Sequence, residues 1–258
     1  MNTTHFSIRK FFQLLLAGLT VLIIVTGACV PVAVSKPQPF ARDQAHQIER
    51  TYGIVLADRS AHWTAGEAYT IWRALERLAY RIKLVFNVPG ESSLKALLEG
   101  SVFYRDSGSG DKIAYTIAGT VSFYDVWAGY DDAHRMFYLY HEMGHLLDTR
   151  GSLLNLFMGE VSGQFSIHVG SYVDARGQYQ LGAEFPQPAT PDQSIRHRTD
   201  NASEDWAETF ASVLMPEFET ELRDVGMPRL MEVVNQFQTW LAQQRRETRK
   251  EQAMADSQ

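Results

Sequence analysis

In the run His141-Glu142-Met143-Gly144-His145, two imidazoles stand four residues apart with a carboxylate beside the first. On a helix, positions i and i+4 share a face, so both rings can reach one metal ion. Glu142 follows the first ring and can address a water on that ion. Zinc suits the arrangement, because it accepts imidazole and carboxylate ligands in an open tetrahedral site. With three protein ligands, the fourth position holds a water whose pKa falls to about 7. The chemistry implied is hydrolysis by an activated water.

A catalytic site of this kind needs a third ligand. The metzincin spacing requires Gly at position 148 and His at 151, whereas this chain has Asp148 and Gly151, which excludes that class. The better source is Glu204-Asp205-Trp206-Ala207-Glu208. Its two glutamates share a helix face, and the small Ala207 allows close approach to the helix of His141 and His145. One carboxylate can bind the metal while the other accepts the spare N–H of a ligand histidine. The alternative is a solvated acidic helix start favoured by the helix dipole; the third ligand would then be sought among Glu160, Asp174 and Glu184. Of the other histidines, His134 falls in the first turns of its helix and reads as structural, and His168 does not read as a ligand. Asp148, three residues after His145, could orient that histidine or end the helix in solvent.

The motif followed by a helix bearing E-x-x-A-E resembles the gluzincin metallopeptidases. The local text HEMGHLLD and SEDWAETFA is most similar to the anthrax lethal-factor and Pro-Pro endopeptidase group, over about Ala133 to Leu214. By position, the resemblance implies His141, His145 and Glu204 as ligands of one zinc per chain, Glu142 as general base and Glu208 as the carboxylate behind a ligand histidine. That group carries a Tyr oxyanion donor seven residues before its Glu ligand. Here the position is His197, a departure from that group: either its imidazole donates the same hydrogen bond, as in thermolysin-like gluzincins, or it is a loop histidine between Arg196 and Arg198 that faces solvent. It also implies an edge strand that binds substrate backbone, for which Thr116 to Phe123 is the candidate. The expected function is that of a zinc metalloprotease, an endopeptidase acting on peptide or protein substrates. Two other functions fit the same residues: a non-catalytic metal-binding or interaction lipoprotein of zincin-like fold, and a zinc hydrolase of a non-peptide amide. Pure metal binding does not need the base Glu142.

A chain of 258 residues accommodates one substantial domain. A formal charge of -6 and a pI near 5.8 argue against a nucleic-acid partner. The single cysteine excludes an internal disulfide framework. It closes a leader: Arg9-Lys10, an apolar run from Phe11 to Val25, then Gly27-Ala28-Cys29. These are the parts of a signal peptide over residues 1–28, too short in its apolar run for an ordinary membrane span. Val25-Thr26-Gly27-Ala28-Cys29 resembles a bacterial lipobox, with Thr26 where Leu is commonest, and implies lipidation of Cys29. Plain secretion and an uncleaved anchor are the alternatives; all three put the folded part outside the cytoplasm. Residues 29–40, with three prolines, read as a tether.

The catalytic domain is expected over residues 41–244, an α+β zincin-like fold in which a small sheet with a hairpin packs on the helix of the histidines. A mostly helical C-terminal part follows. Helices are expected at Ala41–Tyr52, behind the Thr64–Glu67 capping box, at Ser92–Leu98, from Asp131-Asp132 to about Asp148 with Gly151 as stop, from the Asn201–Glu204 capping box to Leu214, and from Pro228. Lys83–Val88 and Phe165–Val173 read as strands. Ser101–Asp106 and Lys112–Ala118 read as a hairpin around a Gly-rich turn, with Val121–Tyr124 continuing the sheet. Gly177–Pro191 reads as a long loop, and residues 245–258 as a frayed polar tail. Oligomeric state has no signature in the sequence.

Overall fold

The computed structural model describes residues 41–108, 110–154, 161–182, 201–215 and 227–256, all within one compact unit, Pro39–Gln258. Residues 1–40, where a leader, Cys29 and a tether are expected, lie outside the described residues, as does His197. The fold is mixed α+β, dominated by helices, with a four-stranded sheet and a two-stranded one among the described residues. No described helix is long and apolar enough to cross a membrane.

Helix α1 (Ala41–Tyr52) buries Ile48 and Tyr52 against helix α2 (Ala65–Phe86). The capping box forms as the sequence requires: Glu67 N–H donates to Thr64 Oγ1 at 3.2 Å, and Thr64 N–H to the Glu67 carboxylate at 2.7 Å. Behind it Ile71, Leu75, Leu78 and Ile82 line a buried stripe. Helix α2 then runs through Lys83–Phe86, where a strand was expected. Its terminator is Asn87, whose φ of 51° is a left-handed cap that asparagine tolerates. Pro89 follows and starts helix α3 (Gly90–Leu98).

The sheet contains β1 (Val55–Asp58), β2 (Val102–Arg105), β3 (Ala114–Ile117) and β4 (Thr120–Phe123), in the spatial order β1-β2-β4-β3. Here too an expectation is corrected. The runs on either side of the Gly-rich turn do not pair with each other, because β4 inserts between them, parallel to β2 and antiparallel to β3. The hairpin is β3–β4, closed by Ala118-Gly119 at φ of 46° and 82°. Two consecutive positive φ values match the right-handed twist of the flanking strands. Strand β1 was not read from the sequence. Phe103, Val121 and Phe123 fill the sheet's inner face beneath Trp63 and Trp127, with ring centroids 4.7–6.0 Å apart.

Helix α4 (Asp125–Gly129) leads to helix α5 (Asp132–Leu154), which carries the histidines. Asp131 caps it, accepting from His134 N–H at 2.9 Å, and its side chain also meets the His134 ring at 2.8 Å. His134 is therefore a residue of the helix start, as expected. Gly151 does not stop the helix. Val161–His168 forms helix α6, not the expected strand; only the two-residue β5 (Tyr172–Val173) follows, paired with β6 (Tyr179–Gln180). Helix α7 (Ala202–Leu214) is capped by Asn201. Helix α8 (Met227–Ala255) buries Val233, Phe237, Trp240 and Leu241 and continues as an exposed helix through the stretch expected to fray.

Candidate metal centre

Helices α5 and α7 touch where neither carries bulk. A Cβ on Gly144 would lie 2.8 Å from Ala207 Cα and 3.3 Å from its Cβ, so the contact tolerates only glycine opposite alanine. Trp206 locks the crossing by donating its indole N–H to Gly144 O at 2.9 Å. This proximity brings the sequence-predicted residues together.

His141 and His145 turn their Nε2 atoms toward each other at 3.1 Å. Glu204 faces both: one carboxylate oxygen is 3.3 Å from His141 Nε2 and the other 3.4 Å from His145 Nε2. The three residues offer ligand atoms within 4.8 Å of one another, a set that could hold a metal ion. Asn201 still accepts from Glu204 N–H at 3.0 Å, but the capping box is half-made, because the Glu204 carboxylate is turned to the imidazoles. His141 is fully buried and Glu204 about one quarter exposed. Burial pushes the His141 pKa down, yet the Glu204 and Glu208 carboxylates outweigh it and hold the imidazole up at about 10. Reciprocally, burial raises Glu204 but the two imidazoles pull it well below the usual carboxylate range.

Behind each histidine stands an outer partner. His141 Nδ1 lies 3.3 Å from the Glu208 carboxylate. His145 Nδ1 lies 3.1 Å from Ser203 Oγ, which in turn donates to Asp148 Oδ2 at 3.2 Å. With its single proton committed to Asp148, the Ser203 hydroxyl accepts from His145 Nδ1–H. The Nε2 lone pair is thereby directed at the cluster, the tautomer a ligand requires. Asp148 is buried, and its other oxygen accepts from Ser162 N–H at 2.9 Å. Of the two readings of Asp148, orienting a histidine holds, through a serine.

Glu142 is buried beside His141, and its Oε2 accepts from Thr116 Oγ1 at 2.5 Å. Ser203, Thr116 and Ser162 were missed by sequence reasoning. Ser203 alone had a signal, since it precedes Glu204 on the same helix turn; Thr116 and Ser162 come from distant segments. Of the alternative third ligands, Asp174 is a turn residue that accepts from Arg176 and Gln178 N–H at 2.8 and 3.0 Å. Glu160 and Glu184 lie outside the described residues. His168 pairs with Glu232 at 2.8 Å, away from the cluster. Of the expected substrate strand Thr116–Phe123, only β3 is a sheet edge; β4 is paired on both sides.

No protein-family model matches this chain, and no curated protein sequence matches it either.

Proposed function

We propose that this chain is an exported zinc endopeptidase whose ion is held by His141, His145 and Glu204. The observation that carries the proposal is the spacing of the ligand atoms. Zinc arms of roughly 2.0–2.1 Å in a tetrahedron set neighbouring ligand atoms about 3.4 Å apart. The two Nε2 atoms here are 3.1 Å apart, and each lies 3.3–3.4 Å from its own oxygen of the Glu204 carboxylate, so the three groups converge on nearly that span. Two imidazole and one carboxylate donor are a zinc-type set, and the outer partners on Nδ1, Glu208 for His141 and Ser203 for His145, support it.

When bound, zinc supplies a water acidic enough to ionise near neutral pH and polarises the scissile carbonyl. The chain's own residues do the rest. Glu142 takes the proton of the attacking water and passes it to the leaving amine. Glu208 and the Ser203–Asp148 pair hold the two imidazoles in their ligand tautomers. His197 is proposed as hydrogen-bond donor to the developing oxyanion, on the resemblance alone. A catalytic role is favoured over pure metal storage by Glu142, which is buried and aligned yet binds no metal in this scheme. Export rests on the leader, and lipidation on Cys29; intact mass of membrane-extracted protein tests both. Zincin-like fold identity rests on the helix pair and the edge strand above it.

The test of the activity is cleavage mapping in a random peptide library with the full mature chain. Cleavage by the parent and none by Glu142→Gln, with zinc retained in both, is the expected result. Parent-rate cleavage by Glu142→Gln would overturn the mechanism.

A further inference from the structure

The general base sits on a flexible side chain. A glutamate has three rotatable bonds, and a proton transfer needs its oxygen within roughly 2.6–3.2 Å of the proton it takes. Nothing in the sequence around Glu142 says what holds it there. In the structure the constraint comes from the sheet edge. Along β3, Tyr115 and Ile117 are 51% and 57% exposed, while Ala114 and Thr116 alternate inward toward α5. The Thr116 hydroxyl lies 2.5 Å from Glu142 Oε2 and 3.3 Å from the Glu142 carbonyl oxygen, so it covers both ends of that one residue.

We infer that Thr116 is a positioning residue for Glu142, fixing the carboxylate through Oε2 and leaving Oε1 to take the proton. Threonine suits the task because its β-branch stiffens χ1. Its backbone is itself fixed, with Thr116 opposite Val121 in the β3–β4 ladder. The hydroxyl is thus a rigid donor on a rigid strand, aimed at a carboxylate that would otherwise sample several rotamers. The inference rests on the proposed hydrolytic role of Glu142.

Thr116→Val and Thr116→Ser, made in the full mature chain, test it with the best-cleaved peptide of the library as probe. Misplacing a catalytic group by about an ångström costs on the order of 10²-fold in rate. Thr116→Val should therefore lose roughly 10- to 100-fold in kcat with KM and zinc content unchanged, and Thr116→Ser should restore most of it. A crystal structure of metal-free Thr116→Val should show the Glu142 carboxylate moved from its parental position. Parent kcat in Thr116→Val, an unmoved carboxylate, or a serine variant as slow as valine overturns the inference while leaving the proposed function standing. A parent chain that binds no zinc and cleaves no peptide overturns both.

Discussion

Two adjacent acidic residues on helix α7, Glu204 and Asp205, are surrounded in opposite ways. Asp205 is fully buried and met by donors from three other segments: Arg229, Ser171 at 2.8 Å and Tyr179 at 3.0 Å. Arg229 also donates to Thr209 and lies over the Phe165 ring. That is a buried charge pair whose carboxylate is compensated by protein donors alone. Glu204 instead faces two imidazoles whose Nε2 atoms converge on the same point, with further carboxylates behind them. Protein groups alone balance the Asp205 site, whereas the Glu204 site gathers lone pairs that a cation would organise. Burial of charge is common to both; convergence of acceptors distinguishes the candidate functional site.

The largest expected effects break the two sites in different ways. Asp205→Ala strands Arg229 as an unpaired buried charge and should cost about 3–5 kcal/mol of stability whether or not zinc is present. Glu204→Ala should cost the metal-free fold only its ion pairs with the two imidazoles, and it should remove zinc retention, so that added zinc no longer raises the melt. Denaturant melts of both variants, with and without zinc, check the contrast. Equal melts for the two would erase the distinction drawn here.

Next in size is the helix crossing that joins the sites. Gly144→Ala forces its Cβ into Ala207 backbone, and overpacking of this kind costs about 1–3 kcal/mol. Because the crossing sets the ligand spacing, zinc affinity should fall together with the melting temperature. A variant with wild-type affinity would separate packing from ligation. Glu208→Ala and Ser203→Ala act one shell further out. Each should weaken zinc by roughly 10–100-fold, as loss of a ligand's orienting partner does, without unfolding the chain.

The pH dependence follows from the same contacts. In metal-free protein the His141 pKa is raised from 6.5 to about 10, so its ion pairs stabilise the fold fully below about 6.5 and lose that effect as pH rises through 10. Glu204 is lowered from its ordinary 4.5, so its contribution is present above that value and lost as pH falls through the folded-state pKa. Zinc competes with the proton on His141. Apparent zinc affinity should therefore rise with pH between 7 and 9, by about tenfold per unit, with release of about one proton per ion bound. Calorimetry in buffers of differing ionisation enthalpy measures that proton; an affinity flat with pH would contradict the assignment. The smallest effect lies at the β3–β4 turn, where Ala118→Gly should relieve a left-handed φ and stabilise by up to about 1 kcal/mol.

How much of this was legible in the sequence follows the range of the interactions. His141, Glu142, His145, Glu204 and Glu208 were readable because each pair lies four or fewer residues apart on one helix, and helical periodicity alone puts them on a face. Ala207 was readable because close approach needs a small residue. Thr116 was not, since its contact with Glu142 spans the sheet and a helix. The order β1-β2-β4-β3 was hidden for a similar reason: the turn that makes the hairpin is Ala118-Gly119, where alanine gives little of the signal that Asn-Gly would. Lys83–Phe86 has strand-like composition, but it continues an established helix up to an asparagine cap, so tertiary context won over local propensity. The C-terminal stretch from Arg245 has no apolar stripe. Its Arg, Lys, Glu, Gln and Ala are nonetheless strong helix formers, which carry α8 onward to Ala255.

Zinc titration of the full mature chain, stripped of metal and followed by calorimetry, tests the central claim most directly. The account predicts saturation at about one ion per chain, abolished in Glu204→Ala and preserved in Glu142→Gln, because the first removes a ligand and the second only the base. No uptake by the parent chain, or uptake unaffected by Glu204→Ala, would contradict it.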